Sequence, residues 1–156
     1  GLQMASAVFV RHGVGWEGAH SAELNPETTH PMIHLMPEQD GIEDIGGTLR
    51  LGSYPCVLDP STKAFELYGE KTIYERHRHR YEVNNDYRSA LKDAGMTLSG
   101  LSPDGRIVEM IELKSHPFFL ATQGHPELKS RPNRPHPLFR GFVAAALEHE
   151  KSRAAE

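Results

Sequence analysis

Residues 96–127 read "MTLSGLSPDGRIVEMIELKSHPFFLATQGHPE". The stretches 96–102 and 106–113 predict two β-strands, joined around Pro103-Asp104-Gly105, a strong turn signal. "FFLATQ" (118–123) predicts a third strand, and it ends directly at His125-Pro126-Glu127. Because the residue before a proline is driven into an extended conformation, His125 is expected to be β- or polyproline-like. In extended chain, residues two apart point to the same side, so Glu127 can reach the imidazole. A carboxylate so placed sets the imidazole's tautomer and supports its protonated form, as in a catalytic base held by an orienting acid. A surface histidine beside a surface glutamate is the plainer reading of the same spacing.

Outward from these strands, "NDYRSALKDAG" (85–95) predicts a helix closed by Gly95. "YERHRHRYEV" (74–83) alternates throughout and predicts one strand. That strand would put Arg76, Arg78 and Arg80 on one face and His77, His79 and Tyr81 on the other. Three guanidiniums in a row cannot be buried unpaired, and their planar forks suit carboxylate or phosphate recognition. A solvated edge strand protected by charge is the structural alternative. His77 and His79 lack a visible third or fourth metal ligand. "KAFELYG" (63–69) predicts a short helix ended by Gly69, and "TLRLGSYPCVL" (48–58) a strand or hairpin. "MIHLM" (32–36) is a short apolar run, and residues 14–31 read as polar and irregular. Leu2, Ala5, Val8 and Phe9 recur at helical spacing with Gly13 as a stop, and "PLFRGFVAAALEHEKS" predicts a terminal helix. Strands with helices before, between and after them point to an α/β layered domain.

With 156 residues, one domain is expected, and the single cysteine excludes an internal disulfide framework. That usage fits a reducing compartment, so a cytoplasmic location is expected. No apolar run approaches the roughly 18 residues of a membrane span. The net charge of −4 argues against nucleic-acid binding. The charge is uneven: residues 1–60 hold two basic and eight acidic side chains, and the remainder 15 and 13. Cys56 follows a proline in an expected strand and has no flanking glycine, which reads as a small buried hydrophobe rather than an activated thiolate. "GLQMASAVFV" opens inside a helical pattern without cap or leading strand, which predicts a fragment or a sheet completed from elsewhere.

Taken together, "ERHRHRYEVN", "LGSYPCVL", "SHPFFLATQGHPE" and "HPLFRGFVAAAL" resemble the C-terminal glutamine amidotransferase domain of the CTP synthase family, over nearly the whole chain. "HPE" belongs to triad amidotransferases in general, whereas "RHRHRYEVN" is specific to this family and argues against the GMP synthetase type. The resemblance implies an open layered α/β sheet of the class I amidotransferase type, here lacking its first strands. It implies a Cys-His-Glu triad in which His125 is the base and Glu127 its orienting carboxylate. Gly1, Leu2 and Gln3 resemble the end of the nucleophile turn, which would put the cysteine before Gly1 and leave the chain inactive alone. Gly1, Leu2, Gln3, Glu23 and Arg80 resemble the glutamine-binding residues. The implied partners are L-glutamine and an upstream synthetase domain that uses ATP and magnesium, within a homo-oligomeric enzyme; no metal or cofactor is implied for this chain. A non-catalytic module binding glutamine or a partner subunit is the alternative from a different functional class.

Overall fold

The computed structural model describes residues 1–35 and 50–154. Helix α1 (Leu2–Gly13) buries Leu2, Ser6, Ala7 and Val10, the stripe expected of an amphipathic helix lying on a sheet. Its last turn carries Arg11 and His12, cations that favour a helix C-terminus. Strand β1 (Ala19–Ser21) follows, then β2 (His30–Leu35), so the stretch expected to be irregular contains one strand and the start of another. β1 is three residues long, too short for a period of two to register. The part of the strand expected at 48–58 that precedes Arg50, and Met36 of the 32–36 run, lie outside the described residues.

Beyond them come β3 (Arg50–Leu58), α2 (Lys63–Tyr68), β4 (Thr72–His79) and β5 (Tyr81–Val83). Next are α3 (Arg88–Asp93), β6 (Met96–Leu101), β7 (Val108–Leu113), β8 (Leu120–Thr122) and α4 (Pro137–Ala154). The helix expected over 85–95 begins as a 3-10 turn at Asn85–Tyr87, which Asn84 caps by accepting from Asp86 N. Helix α2 is bounded at both ends: Thr62 accepts from Phe65 N, and Gly69 closes it at φ 72°.

Two sheets result. A small one has the order β1-β2-β5, with β1 parallel and β5 antiparallel to β2. A five-stranded antiparallel sheet has the order β4-β3-β6-β7-β8. The layered α/β architecture is therefore present, with antiparallel pairing dominant. Leu2, Val10, Met32, Ile33, Val83, Met96 and Ile111 form one core beneath α1 and α3. Cys56, Leu58, Ala64, Ile73, Met110 and Leu138 form a second, on the α2 and α4 side. Val108–Ile111 are buried on both faces, as a strand sandwiched between these two cores must be. At Gly100 a side chain would come within 2.6 Å of Cys56 Sγ, so the close approach of β3 to β6 needs a glycine.

The expected single strand over 74–83 is two strands in two different sheets. β4 ends with His79 opposite Arg50, Arg80 is a bend, and β5 begins with Tyr81 opposite Leu35. Up to the break alternation holds: Glu75 and His77 are buried while Arg76 and Arg78 are exposed. After it, Glu82 and Val83 are buried in succession. Arg80 is thus half-buried at the seam and does not continue the exposed row of Arg76 and Arg78.

Candidate active site

His125 and Glu127 meet. His125 Nδ1 and Glu127 Oε1 stand 2.7 Å apart on the turn after β8. His125 has φ −109° and ψ 82°, outside the helical region as its following proline demands, and Pro126–Leu128 form a 3-10 turn that carries Glu127 back to the ring. The His125 backbone donates to the Arg76 carbonyl at 2.8 Å, which ties the turn to β4. Because a carboxylate only accepts, Nδ1 must carry the proton, and Nε2 is left as the acceptor that can take another. The hydrogen bond from His125 holds the Glu127 carboxyl below the usual carboxylate range. The pair is open to solvent, with side-chain exposures of 28% and 57%, so a bound ligand can reach it.

The other candidate residues come from separate elements. Gly1 caps α1, and a side chain there would lie 4.0 Å from the Thr122 carbonyl, close to the turn that carries His125. Leu2 is buried in the core beneath α1, which fixes the start of that helix. Gln3 donates through Nε2 to the Tyr81 carbonyl at 2.9 Å and to Gln123 Oε1 at 3.3 Å. Arg80 immediately precedes Tyr81, where β5 starts opposite Leu35 at the carboxyl end of β2. Glu23 follows the carboxyl end of the parallel neighbour β1. Strand carboxyl ends are where α/β sheets gather ligand-binding groups. Glu23 is exposed and makes no side-chain hydrogen bond or ion pair among the described residues, so the fold sets it at this edge without joining it to the others.

Under these residues lies a buried polar cluster that sequence reading did not single out. Arg50 contacts Glu109 at 2.8 Å and Glu82 at 3.3 Å, and its guanidinium sits 4.4 Å from the centre of the Tyr54 ring. Burial works against the charged guanidinium, but hydrogen bonding and attraction from the two carboxylates prevail and its pKa is raised. Burial pushes Glu82 up to about 7 despite Arg50, and it also raises Glu109. Burial first, and then Arg50, push His77 down to about 3 and His79 down to about 4. Both imidazoles are therefore neutral near neutral pH, and one donates to the other at 2.9 Å. Further along the same face of β4, Glu75 accepts from Tyr68 at 3.0 Å and bonds His136 at 2.8 Å. Among the described residues no group of three or more acidic, histidine or cysteine side chains is set to hold a metal.

Cys56 is not part of this site. It is 1% exposed, and burial together with Glu109 and Glu75 pushes its thiol up to about 12. A thiol so placed has almost no thiolate at neutral pH.

The "Glutamine amidotransferase class-I" family matches residues 1–145. This chain belongs to that family. It is 58% identical over 148 residues to the CTP synthase of Bacillus subtilis (strain 168), which covers 95% of the chain and 28% of the relative. It is 63% identical over 146 residues to that of Moorella thermoacetica, covering 94% of the chain and 27% of the relative. The chain therefore spans little more than a quarter of the length of the curated relatives it matches. Among solved structures, the Trypanosoma brucei CTP synthase glutaminase domain with bound acivicin superposes with a TM-score of 0.88 at 36% identity. That match covers 95% of this chain and 58% of the other. The open layered α/β fold expected from the sequence is thus the class I amidotransferase fold. No helix among the described residues is long and apolar enough to cross a membrane.

Proposed function

We propose that this chain is the portion of a CTP synthase that prepares glutamine for hydrolysis, with His125 as base and Glu127 as its orienting carboxylate. The 2.7 Å contact between His125 Nδ1 and Glu127 Oε1 carries this reading, because it leaves Nε2 to take a proton from a thiol. The thiolate then attacks the glutamine side-chain amide and forms a thioester. Protonated His125 gives its proton to the departing ammonia, and water releases glutamate. Arg80 pairs with the substrate carboxylate through its planar fork, and Glu23 with the substrate ammonium. Gly1, Gln3 and the backbone of Leu2 face the substrate at the start of α1, where N–H groups favour a developing oxyanion.

The only cysteine of residues 1–156 is Cys56, whose burial rules it out as the nucleophile. The 156 residues by themselves are therefore expected to hydrolyse no glutamine, because triad members act as a unit. In our reading the nucleophile and the synthetase domain, which uses ATP and magnesium to aminate UTP with the released ammonia, lie elsewhere in a longer, homo-oligomeric, cytoplasmic enzyme. No residue of this chain is assigned to ATP or magnesium.

The test is a chimera in which this chain replaces the matching segment of the Bacillus subtilis enzyme. It should form CTP from glutamine, and His125→Ala should abolish that while leaving CTP formation from ammonia intact. Glutamine-dependent activity that survives His125→Ala, or that falls with Cys56→Ser, would overturn the assignment.

A further inference from the structure

Gln123 is buried between the end of β8 and His125, and its backbone N–H donates to the Glu109 carbonyl at 2.9 Å. Its Nε2 lies 3.0 Å from Glu82 Oε2 and 3.4 Å from the Tyr81 carbonyl, while its Oε1 faces Gln3 Nε2 at 3.3 Å. Gln3 Nε2 also donates to that same Tyr81 carbonyl, at 2.9 Å. A backbone carbonyl can only accept. The amide atoms that face it from both side chains must therefore be nitrogens, and neither carboxamide can be flipped. Gln3 has two N–H groups, and both are engaged. Its one remaining polar atom is Oε1, an acceptor, which takes no hydrogen bond among the described residues.

We propose that Gln123 is a positioning residue for substrate selection. It locks the Gln3 carboxamide so that the site offers a hydrogen-bond acceptor, which favours a ligand bearing N–H groups, the side-chain amide of glutamine, over the carboxylate of glutamate. The inference rests on the reading above that Gln3 lines the substrate. Glu82, held by Arg50, acts likewise from deeper in the protein, since it fixes which end of the Gln123 amide faces Gln3. One continuous set of contacts thus joins the start of α1, the seam before β5 and the turn after β8, the three segments that bear Gln3, Arg80 and His125.

The experiment is calorimetric titration, with L-glutamine and with L-glutamate, of the chimera described above, its nucleophilic cysteine replaced by alanine so that glutamine is not consumed. Gln123→Met keeps the side-chain volume and removes the acceptor that holds Gln3. It should cut the preference for glutamine about tenfold, the equivalent of about 1.4 kcal/mol. The exchanged pair Gln123→Glu with Glu82→Gln again provides an acceptor for Gln3 and a donor–acceptor contact between positions 82 and 123, and should restore the preference to within about twofold. A purely structural role predicts equal weakening toward both amino acids. An unchanged preference in folded Gln123→Met, or no recovery in the folded exchanged pair, overturns the proposal. If the chimera with Gln3 and Gln123 unchanged binds neither amino acid, the assignment of Gln3 to the substrate fails. The side-chain amide signals of Gln3 in a 1H–15N spectrum then decide the positioning role separately: a shift and faster solvent exchange on Gln123→Met uphold it, and unchanged signals overturn it.

Discussion

Among the described residues Arg50 is the one cation paired with Glu82 and Glu109 in the buried cluster, and the cost of Arg50→Met should depend on pH in a calculable way. Arg50 sits 2.8 Å from Glu109 and 3.3 Å from Glu82, and both carboxylates are almost wholly buried. Without the guanidinium, each carboxylate either stays charged in a poor solvent or takes up a proton. Protonation caps the loss. For a carboxyl with an ordinary value of 4.5, that cap is about 3 kcal/mol at about pH 7 and less than about 1 kcal/mol at about pH 5. Glu82 already titrates at about 7 in the intact protein, so most of the added loss falls on Glu109. The sign follows from proton uptake. A carboxyl whose folded pKa is raised binds more protons folded than unfolded, so it costs stability as pH climbs from 4.5 toward the folded value. Arg50→Met deepens that loss at Glu109, which burial already raises with Arg50 present, so the stability gap between the two proteins should widen with pH over this range and stay below the cap of about 3 kcal/mol. Urea unfolding followed by Trp16 fluorescence measures it. Trp16 is the sole tryptophan, and it stacks on His30 with ring centres 5.0 Å apart beside the core under α1. A gap of equal size at both pH values would refute the argument, since lost packing does not titrate.

The folded chain should resist alkylation of Cys56 at about pH 8 and react at once in denaturant, because its thiol is buried and pushed up to about 12; rapid labelling of the native protein, followed by mass, would contradict this. Thr62→Ala should cost about 1 kcal/mol in the same urea assay, the worth of an N-cap, as the Thr62 hydroxyl both accepts from Phe65 N and donates to the Asp59 carbonyl. No measurable loss would mean that α2 is held by Glu112, which accepts from Lys63 N and Ala64 N, and not by its cap.

Most elements can be read from local pattern because their causes are local. The Pro103–Gly105 turn, the Gly69 stop and the apolar stripe of α1 each act over a few residues, and the structure has an element in every one of those places. The His125–Glu127 contact belongs with them, since it needs only a proline and a two-residue spacing. The strand expected over 118–123 is shorter than its pattern suggests: the regular ladder with β7 covers Leu120–Thr122, and Phe119 and Gln123 add only one flanking backbone bond each, from Leu113 N and to the Glu109 carbonyl. The break at Arg80 cannot be read from the pattern at all. Alternation runs unbroken through 74–83, and what divides it is the competition of two partner strands, Arg50 of β3 for His79 and Leu35 of β2 for Tyr81.

By itself, then, the sequence determined the helices, the turns, the contact of His125 with Glu127 and, through resemblance, the family. These depend on period, proline and glycine within a few positions, or on motifs that stay contiguous. Only the tertiary structure decided that Glu82 is buried, that Arg50 is its counter-ion across 32 residues, and that Gln3 and Gln123 meet at one carbonyl across 120. A charged or amide side chain looks surface-exposed until the chain brings its partner, and partners that far apart are chosen by sheet order and not by spacing.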